Sequence, residues 1–123
     1  MTDERLSLGR KGEELARRYL LERGYRIVVM NYRGKLGEID LVAEDGDTLV
    51  FVEVKTRRGN ALGDPLEGID RRKQRQIIKA AREYLMKHDC HERICRFDGI
   101  GVLLAPNGQA RVELVKGAFE AGP

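Results

Sequence analysis

The stretch that decides the fold is Gly37–Gly59, GEIDLVAEDGDTLVFVEVKTRRG. Two runs rich in Val, Ile, Leu and Phe, GEIDLVAE (37–44) and TLVFVEVKT (48–56), flank a short Asp/Gly segment. That pattern reads as a β-hairpin. Yet Asp40, Glu53 and Lys55 interrupt its most buryable part.

The turn fixes which residues face each other. With Gly46-Asp47 as a two-residue loop, Asp40 lies opposite Glu53 and Glu38 opposite Lys55. With Asp45-Gly46 as the loop, Glu38 faces Glu53. Either loop puts Glu38, Asp40, Glu53 and Lys55 on one face, and Ile39, Leu41, Val52 and Val54 on the other. Val42 and Phe51 share the charged face, which argues against its full exposure. Like charges placed opposite each other in a sheet destabilise it by a few tenths to about 1 kcal/mol. Two converging carboxylates therefore call for a positive partner. Lys55 supplies part of that charge, and a divalent ion such as Mg²⁺, which takes carboxylate, water and phosphate oxygens, supplies more. The alternative is a surface lattice of Glu–Lys pairs, each weakly stabilising.

Upstream, SLGRKGEELARRYLLERGY (7–25) reads as a helix with Ser7 as its cap and Gly24 as its stop. Glu13 aligns with Ala16 and Leu20 beside the apolar stripe, which makes it a candidate third carboxylate. Glu14 aligns with Arg17, Arg18 and Leu21 and is expected in solvent. YRIVVMNYR (25–33) is a first strand. Downstream, GNALGDPLEG (59–68) is a Gly-rich loop in which Asp64, Pro65 and Glu67 can open a helical turn. DRRKQRQIIKAAREYLMKH (70–88) is an amphipathic helix with Ile77, Ile78, Ala81 and Leu85 on its apolar side. CRFDGIGVLLA (95–105) and ARVELVK (110–116) are strands joined through Asn107-Gly108. The order is α-β-β-β-α-β-β. The second helix is a crossover, so the fourth strand is expected parallel to the third.

At 123 residues and 41% hydrophobic composition, the chain suits one domain, 1–123, with a core from about 8 to 115. The formal charge of +3 permits a nucleic-acid partner without demanding one. Arg57, Arg58, Arg71, Arg72, Lys73 and Arg75 concentrate positive charge after the hairpin, either as a solvated face or as a set of phosphate contacts. No segment reads as a signal peptide or a membrane span, and Cys90 and Cys95 read as reduced thiols of a cytoplasmic protein. His88, Cys90, His91 and Cys95 lie close in sequence but match no structural-zinc spacing, so they read as a polar loop.

Asp40, twelve residues, then Glu53-Val54-Lys55 resembles the D…(D/E)-x-K pattern of the restriction-endonuclease-like nuclease superfamily. RKGEELARRYL (10–20), NYRGKLGEIDLVAEDGDTLVFVEVKTR (31–57) and RFD (96–98) together resemble the YraN-like family of predicted endonucleases. In pattern that family is related to the archaeal Holliday-junction resolvases. The resemblance runs from about Leu8 to Val115. It implies a three-layer α/β fold with a mixed five-stranded sheet flanked by helices. It implies that Glu13, Asp40 and Glu53 hold Mg²⁺ or Mn²⁺, while Lys55 orients the attacking water or stabilises developing charge. Ile39 stands where the wider superfamily often has Pro, as in the YraN-like pattern. Glu38, Gln74, Gln76 and Tyr84 are accessory candidates; Lys73 and Tyr84 resemble family positions.

The expected function is therefore a metal-dependent DNA endonuclease acting on branched or structured DNA, with a homodimer as a means of cutting two strands. A nuclease-like fold that grips DNA without cutting is the second expectation. A protein whose hairpin charges merely pair is the third.

Overall fold

The computed structural model describes residues 2–59, 69–90 and 92–121, with side chains from residue 7 onward. Its elements are α1 (Thr2–Glu22), β1 (Arg26–Arg33), β2 (Glu38–Asp45), β3 (Thr48–Arg58), α2 (Arg71–Lys87), β4 (Cys95–Leu104) and β5 (Ala110–Phe119). The five strands form one mixed sheet in the order β1-β2-β3-β4-β5. β3 and β4 are parallel, and every other neighbouring pair is antiparallel. The α/β architecture and its element order are those expected from the sequence.

The hairpin adopts the first of the two registers. Asp45 pairs with Thr48 and Leu41 with Val52, leaving Gly46-Asp47 as the loop. Gly46 has φ +62°, a conformation glycine adopts at no steric cost at the first central position of a tight turn.

Both faces of the sheet are covered. On one, Ala16 and Leu20 of α1 pack over Leu41, Val50, Val52 and Ile100. On the other, Ile77, Ala81 and Tyr84 of α2 pack over Val42, Phe51 and Phe97. This explains why Val42 and Phe51 share a face with charges: α2 buries one end of that face and leaves the other end to Glu53. Ile39 departs from the simple alternation. It belongs to the α2-side cluster, whereas Leu41, two residues on, belongs to the α1-side cluster. The strand rotates between them, at Asp40. The β2–β3 ladder ends at the same place, since its last pair is Leu41 with Val52.

The first helix is longer than expected. It starts at Thr2, so Ser7 lies inside it and is not its cap. No Gly or Pro lies between residues 2 and 7 to stop the helix there. α2 begins where expected, with the Asp70 carboxylate accepting the Lys73 N–H at 2.8 Å. β5 continues past Lys116 to Phe119, whose ring stacks on Phe97 with centroids 5.0 Å apart. The turn expected around Asp64, Pro65 and Glu67 lies outside the described residues, as does His91. Cys90 and Cys95 are free thiols that pack against the edge of the α2-side core.

Two glycines of α1 have opposite surroundings. A Cβ on Gly12 would collide with the branched side chain of Thr56 on β3, whereas a Cβ on Gly9 would meet nothing within 4 Å. Gly12 lets α1 lie close against β3 and sets the height of Glu13 above the sheet. Gly9→Ala is expected to stabilise the protein by about 0.5–1 kcal/mol through helix propensity alone. Gly12→Ala carries the same gain against an overpacking cost of about 1–3 kcal/mol, so a net loss of about 1–2 kcal/mol is expected. Urea unfolding of both variants checks this; the same sign for both would refute the close-packing account.

Candidate functional site

A cleft of about 370 Å³ opens where β2 leaves β3, lined by Glu13, Asp40, Glu53, Val54, Lys55, Thr56 and Lys73 among others. Three elements converge here: α1 brings Glu13, the rotated end of β2 brings Asp40, and β3 brings Glu53 and Lys55. α2 adds Lys73 from its first turn.

Local chain geometry delivers β2 to this point. The turn before it, Gly34 to Gly37, is closed by a Gly34 N–H to Gly37 carbonyl bond of 2.9 Å. It is pinned to α2 by Glu83, whose carboxylate accepts the N–H groups of Lys35 and Leu36 at 3.1 and 3.2 Å. Gly37 comes so near α2 that a Cβ would sit 3.2 Å from the Gln76 carbonyl oxygen. The Gly of GEID is thus a close-approach residue.

In Asp40 and Glu53 each carboxyl is among the groups that shift the other, so the two act on one another across a buried site. Burial, and then the negative charge of Asp40, push Glu53 up to about 8, with Lys73 partly offsetting both. Burial also raises Asp40, while the Val54 N–H, donated to its carboxylate at 2.8 Å, pulls the other way. Asp40 thereby takes up a backbone donor at the point where the ladder stops. Glu53 is 8% exposed, and its Oε2 lies 3.5 Å from Lys73 Nζ.

Glu13 stands beside this pair. Its carboxyl is raised by burial and then by the charge of Asp40, and lowered by a hydrogen bond from the Asn31 side chain. Among the described residues, no three acidic, His or Cys side chains converge as a ready set of metal ligands. The structure brings Asp40, Glu53 and Glu13 to one cleft, with the Asn31 side chain close enough to Glu13 to lower its carboxyl. Lys55 is exposed at the rim of the cleft.

Asn31 is the residue that sequence reasoning missed. It lies within β1 between Met30, which pairs with Leu41, and Tyr32, which pairs with Ile39, placing it across from Asp40. Its φ is +54°, uncommon for a side chain other than glycine and tolerated best by Asn and Asp. The sequence signal was an Asn inside an otherwise strand-forming run.

The remaining candidates disperse. Lys73, expected among the flanking basic residues, sits in the cleft itself. Arg58 lines a separate hollow with Lys11 and Leu104, and Arg71 and Arg75 line a third beside Phe119. Arg72 is exposed and Arg57 half-buried. Glu38 is an exposed partner of Arg33 at 3.6 Å. Gln74 and Tyr84 do not line the carboxylate cleft. The Gln74 amide donates to the Ile69 carbonyl at 3.1 Å, steadying the entry to α2. Tyr84 is 4% exposed in the α2-side core, its ring edge-on to Tyr32 and Phe51. Its place on the apolar stripe of α2 accounts for it fully. Glu14 does what its spacing implied, pairing with Arg17 and Arg18 at 3.0 and 3.1 Å.

A second charged cluster lies at the opposite end of the α1 side. Asp98 is fully buried. One of its oxygens accepts Arg96 Nε at 2.7 Å and the Gly117 N–H at 3.0 Å; the other accepts an Arg96 terminal nitrogen and the Tyr25 hydroxyl at 2.9 and 3.1 Å. Arg96 also donates to Asp45 at 2.9 Å. The partners are polar groups of β2, β4 and β5 and of Tyr25, the residue before β1, so this cluster ties three strands and the entry to a fourth.

The relatives named below carry no assigned activity in their names. The chain is 54% identical over 97 residues to a UPF0102 protein of Chlorobium limicola, covering 79% of this chain and 75% of that one. It is 46% identical over 114 residues to a UPF0102 protein of Rhodococcus opacus, covering 93% and 97%. A UPF0102 protein of Symbiobacterium thermophilum is 45% identical over 114 residues, with the same coverage. The family described as "Uncharacterised protein family UPF0102" matches residues 12–102, a span holding Glu13, Asp40, Glu53, Lys55 and Lys73. On that match and these relatives, the chain belongs to the uncharacterised protein family UPF0102.

Proposed function

We propose that this protein is a metal-dependent endonuclease that hydrolyses DNA phosphodiester bonds, with branched or structured DNA as its substrate. The observation that carries the reading is that Asp40 and Glu53 line one open cleft with Lys55 and Lys73, the Lys73 ammonium 3.5 Å from Glu53. Two buried carboxyls that are both raised above the usual range suit a site whose negative charge is completed by a cation. The donor set fits Mg²⁺ or Mn²⁺, which take oxygen ligands, often one or two carboxylates with waters and phosphate oxygens. Asp40 and Glu53 would hold the ion, and Glu13 would hold one of its waters or complete the ligand set. When bound, such an ion activates water near neutral pH and stabilises charge on a phosphate.

The chain's own residues contribute positioning and charge. The Val54 N–H fixes the Asp40 carboxylate, and the Asn31 side chain lowers the Glu13 carboxyl. Lys55, a compact charge at the rim, meets a phosphate oxygen at the reacting centre. Arg58, Arg71, Arg72 and Arg75 meet flanking phosphates and give salt-dependent affinity with little sequence preference. Cutting both strands of a junction calls for two such sites, hence a symmetric homodimer. Among the described residues no helix is long and apolar enough to cross a membrane, and the free thiols suit the cytoplasm.

The test is a cleavage assay with Mg²⁺ and Mn²⁺ over duplex, flap, single-stranded and four-way-junction DNA. Metal-dependent nicking is expected, falling to the metal-free background in Asp40→Ala. Cleavage that survives Asp40→Ala at the wild-type rate would sink the assignment. The second reading, a DNA-binding module of the same fold, draws on the fact that no three ligating side chains converge among the described residues. It predicts DNA binding that persists in EDTA and no cleavage with either metal.

A further inference from the structure

The cleft contains two lysines in different situations. Lys55 is exposed at the rim. Lys73 reaches in from the helical layer, placing Nζ 3.5 Å from Glu53 Oε2. Its side chain is 44% exposed and that of Glu53 only 10%, so the ammonium approaches a buried carboxylate from the solvent side. The root of Lys73 is fixed because its N–H is the one capped by Asp70. Its four-carbon stem remains free to swing.

We infer that Lys73 is the resident counter-ion of the Asp40–Glu53 pair, holding in the metal-free protein the place that a divalent cation takes, so that the two compete for Glu53. This rests on the metal reading above. The reasoning is steric and electrostatic. A hard divalent cation binds carboxylate oxygens at about 2.0–2.1 Å, and an ammonium 3.5 Å from the same oxygen repels it and crowds its approach from the solvent side. For the ion to enter, Lys73 must withdraw towards the mouth of the cleft. There its charge is available to a phosphate oxygen. On this account Lys73 stabilises the carboxylate pair without metal and opposes metal binding.

Calorimetric titration of Mn²⁺ into metal-stripped wild type, Lys73→Met, Lys73→Gln and Lys55→Met at one pH tests the competition. Both Lys73 variants are expected to bind Mn²⁺ about 5–10-fold more tightly than wild type, and Lys55→Met to change by less than about 2-fold. In the absence of metal, both Lys73 variants are expected to melt below wild type, and their gain in melting temperature on adding Mn²⁺ to exceed that of wild type. Agreement between Met and Gln ties the effect to the lost charge. Wild-type Mn²⁺ binding with equal or weaker affinity in both Lys73 variants overturns the inference and leaves the metal reading standing. No Mn²⁺ binding in wild type or any variant overturns both.

Discussion

Glu53→Gln is expected to make the protein more stable at alkaline pH while removing its response to Mn²⁺. The folded state holds a proton on Glu53 up to about 8, whereas an unfolded Glu releases it near 4.5. Between those values the folded state binds more protons than the unfolded state. Stability therefore falls as pH rises through that window, and the penalty is complete above about 8 and absent below about 4.5. Gln keeps the size of the side chain, donates a hydrogen bond to Asp40 and carries no proton to lose. The variant should gain about 1–3 kcal/mol over wild type at pH 8.5, with the difference fading towards pH 5. In wild type, Mn²⁺ should restore the lost stability by binding only the folded state. The check is a set of melting curves from pH 5 to 8.5 with and without Mn²⁺. Parallel curves for the two proteins would show that Glu53 is not strained by its surroundings.

The second large effect is expected at Asp98→Ala. Asp98 has no exposure, and its removal leaves the half-buried Arg96 guanidinium with Asp45 as its carboxylate partner and takes the acceptor from the Tyr25 hydroxyl and the Gly117 N–H. Breaking a buried ion pair by deleting one partner costs about 3–5 kcal/mol, a large share of the roughly 5–15 kcal/mol that holds a domain of this size together. A fall of about 10–20 °C in melting temperature is expected. Asp98→Leu combined with Arg96→Met should lose much less, because no charge is then left unpaired. A loss below about 1 kcal/mol for Asp98→Ala would show that the cluster is not a tie between strands. The two predictions separate the two ends of the sheet. At the cleft, carboxylates are held at a cost to stability, as functional groups often are. At Asp98, a carboxylate is fully satisfied and its role is to hold.

Much of this was legible in the residues. The hairpin was readable because Asp45-Gly46-Asp47 leaves few turn geometries, and every choice with two loop residues keeps the same side chains on the same face. α2 was readable from the spacing of Ile77, Ile78 and Ala81, and Glu13 from its place one turn before Ala16 and Leu20. Ile39 was misplaced because alternation assumes a regular strand, and β2 rotates at Asp40 once its ladder to β3 ends. Lys73 and Tyr84 show the same limit on α2. Their spacing put both on one helix, but the crossing of α2 over the sheet sends Lys73 to Glu53 and Tyr84 to Phe51.

The sequence by itself therefore determined the element order, the mixed sheet, the hairpin register to one of two choices, and the candidacy of Asp40, Glu53 and Glu13. Those features depend on local periodicity and turn chemistry, which act over a few residues. Only the tertiary structure decided that Asp40, Glu53 and Glu13 line one cleft, that Asn31 comes close to Glu13, that Lys73 enters the cleft, and that Asp98 ties β4 to β5 and to the entry of β1. Each of these is a contact between groups distant in sequence. At the cleft, part of that geometry follows from how closely Gly12 and Gly37 let the helices approach the sheet, and no local pattern encodes that distance.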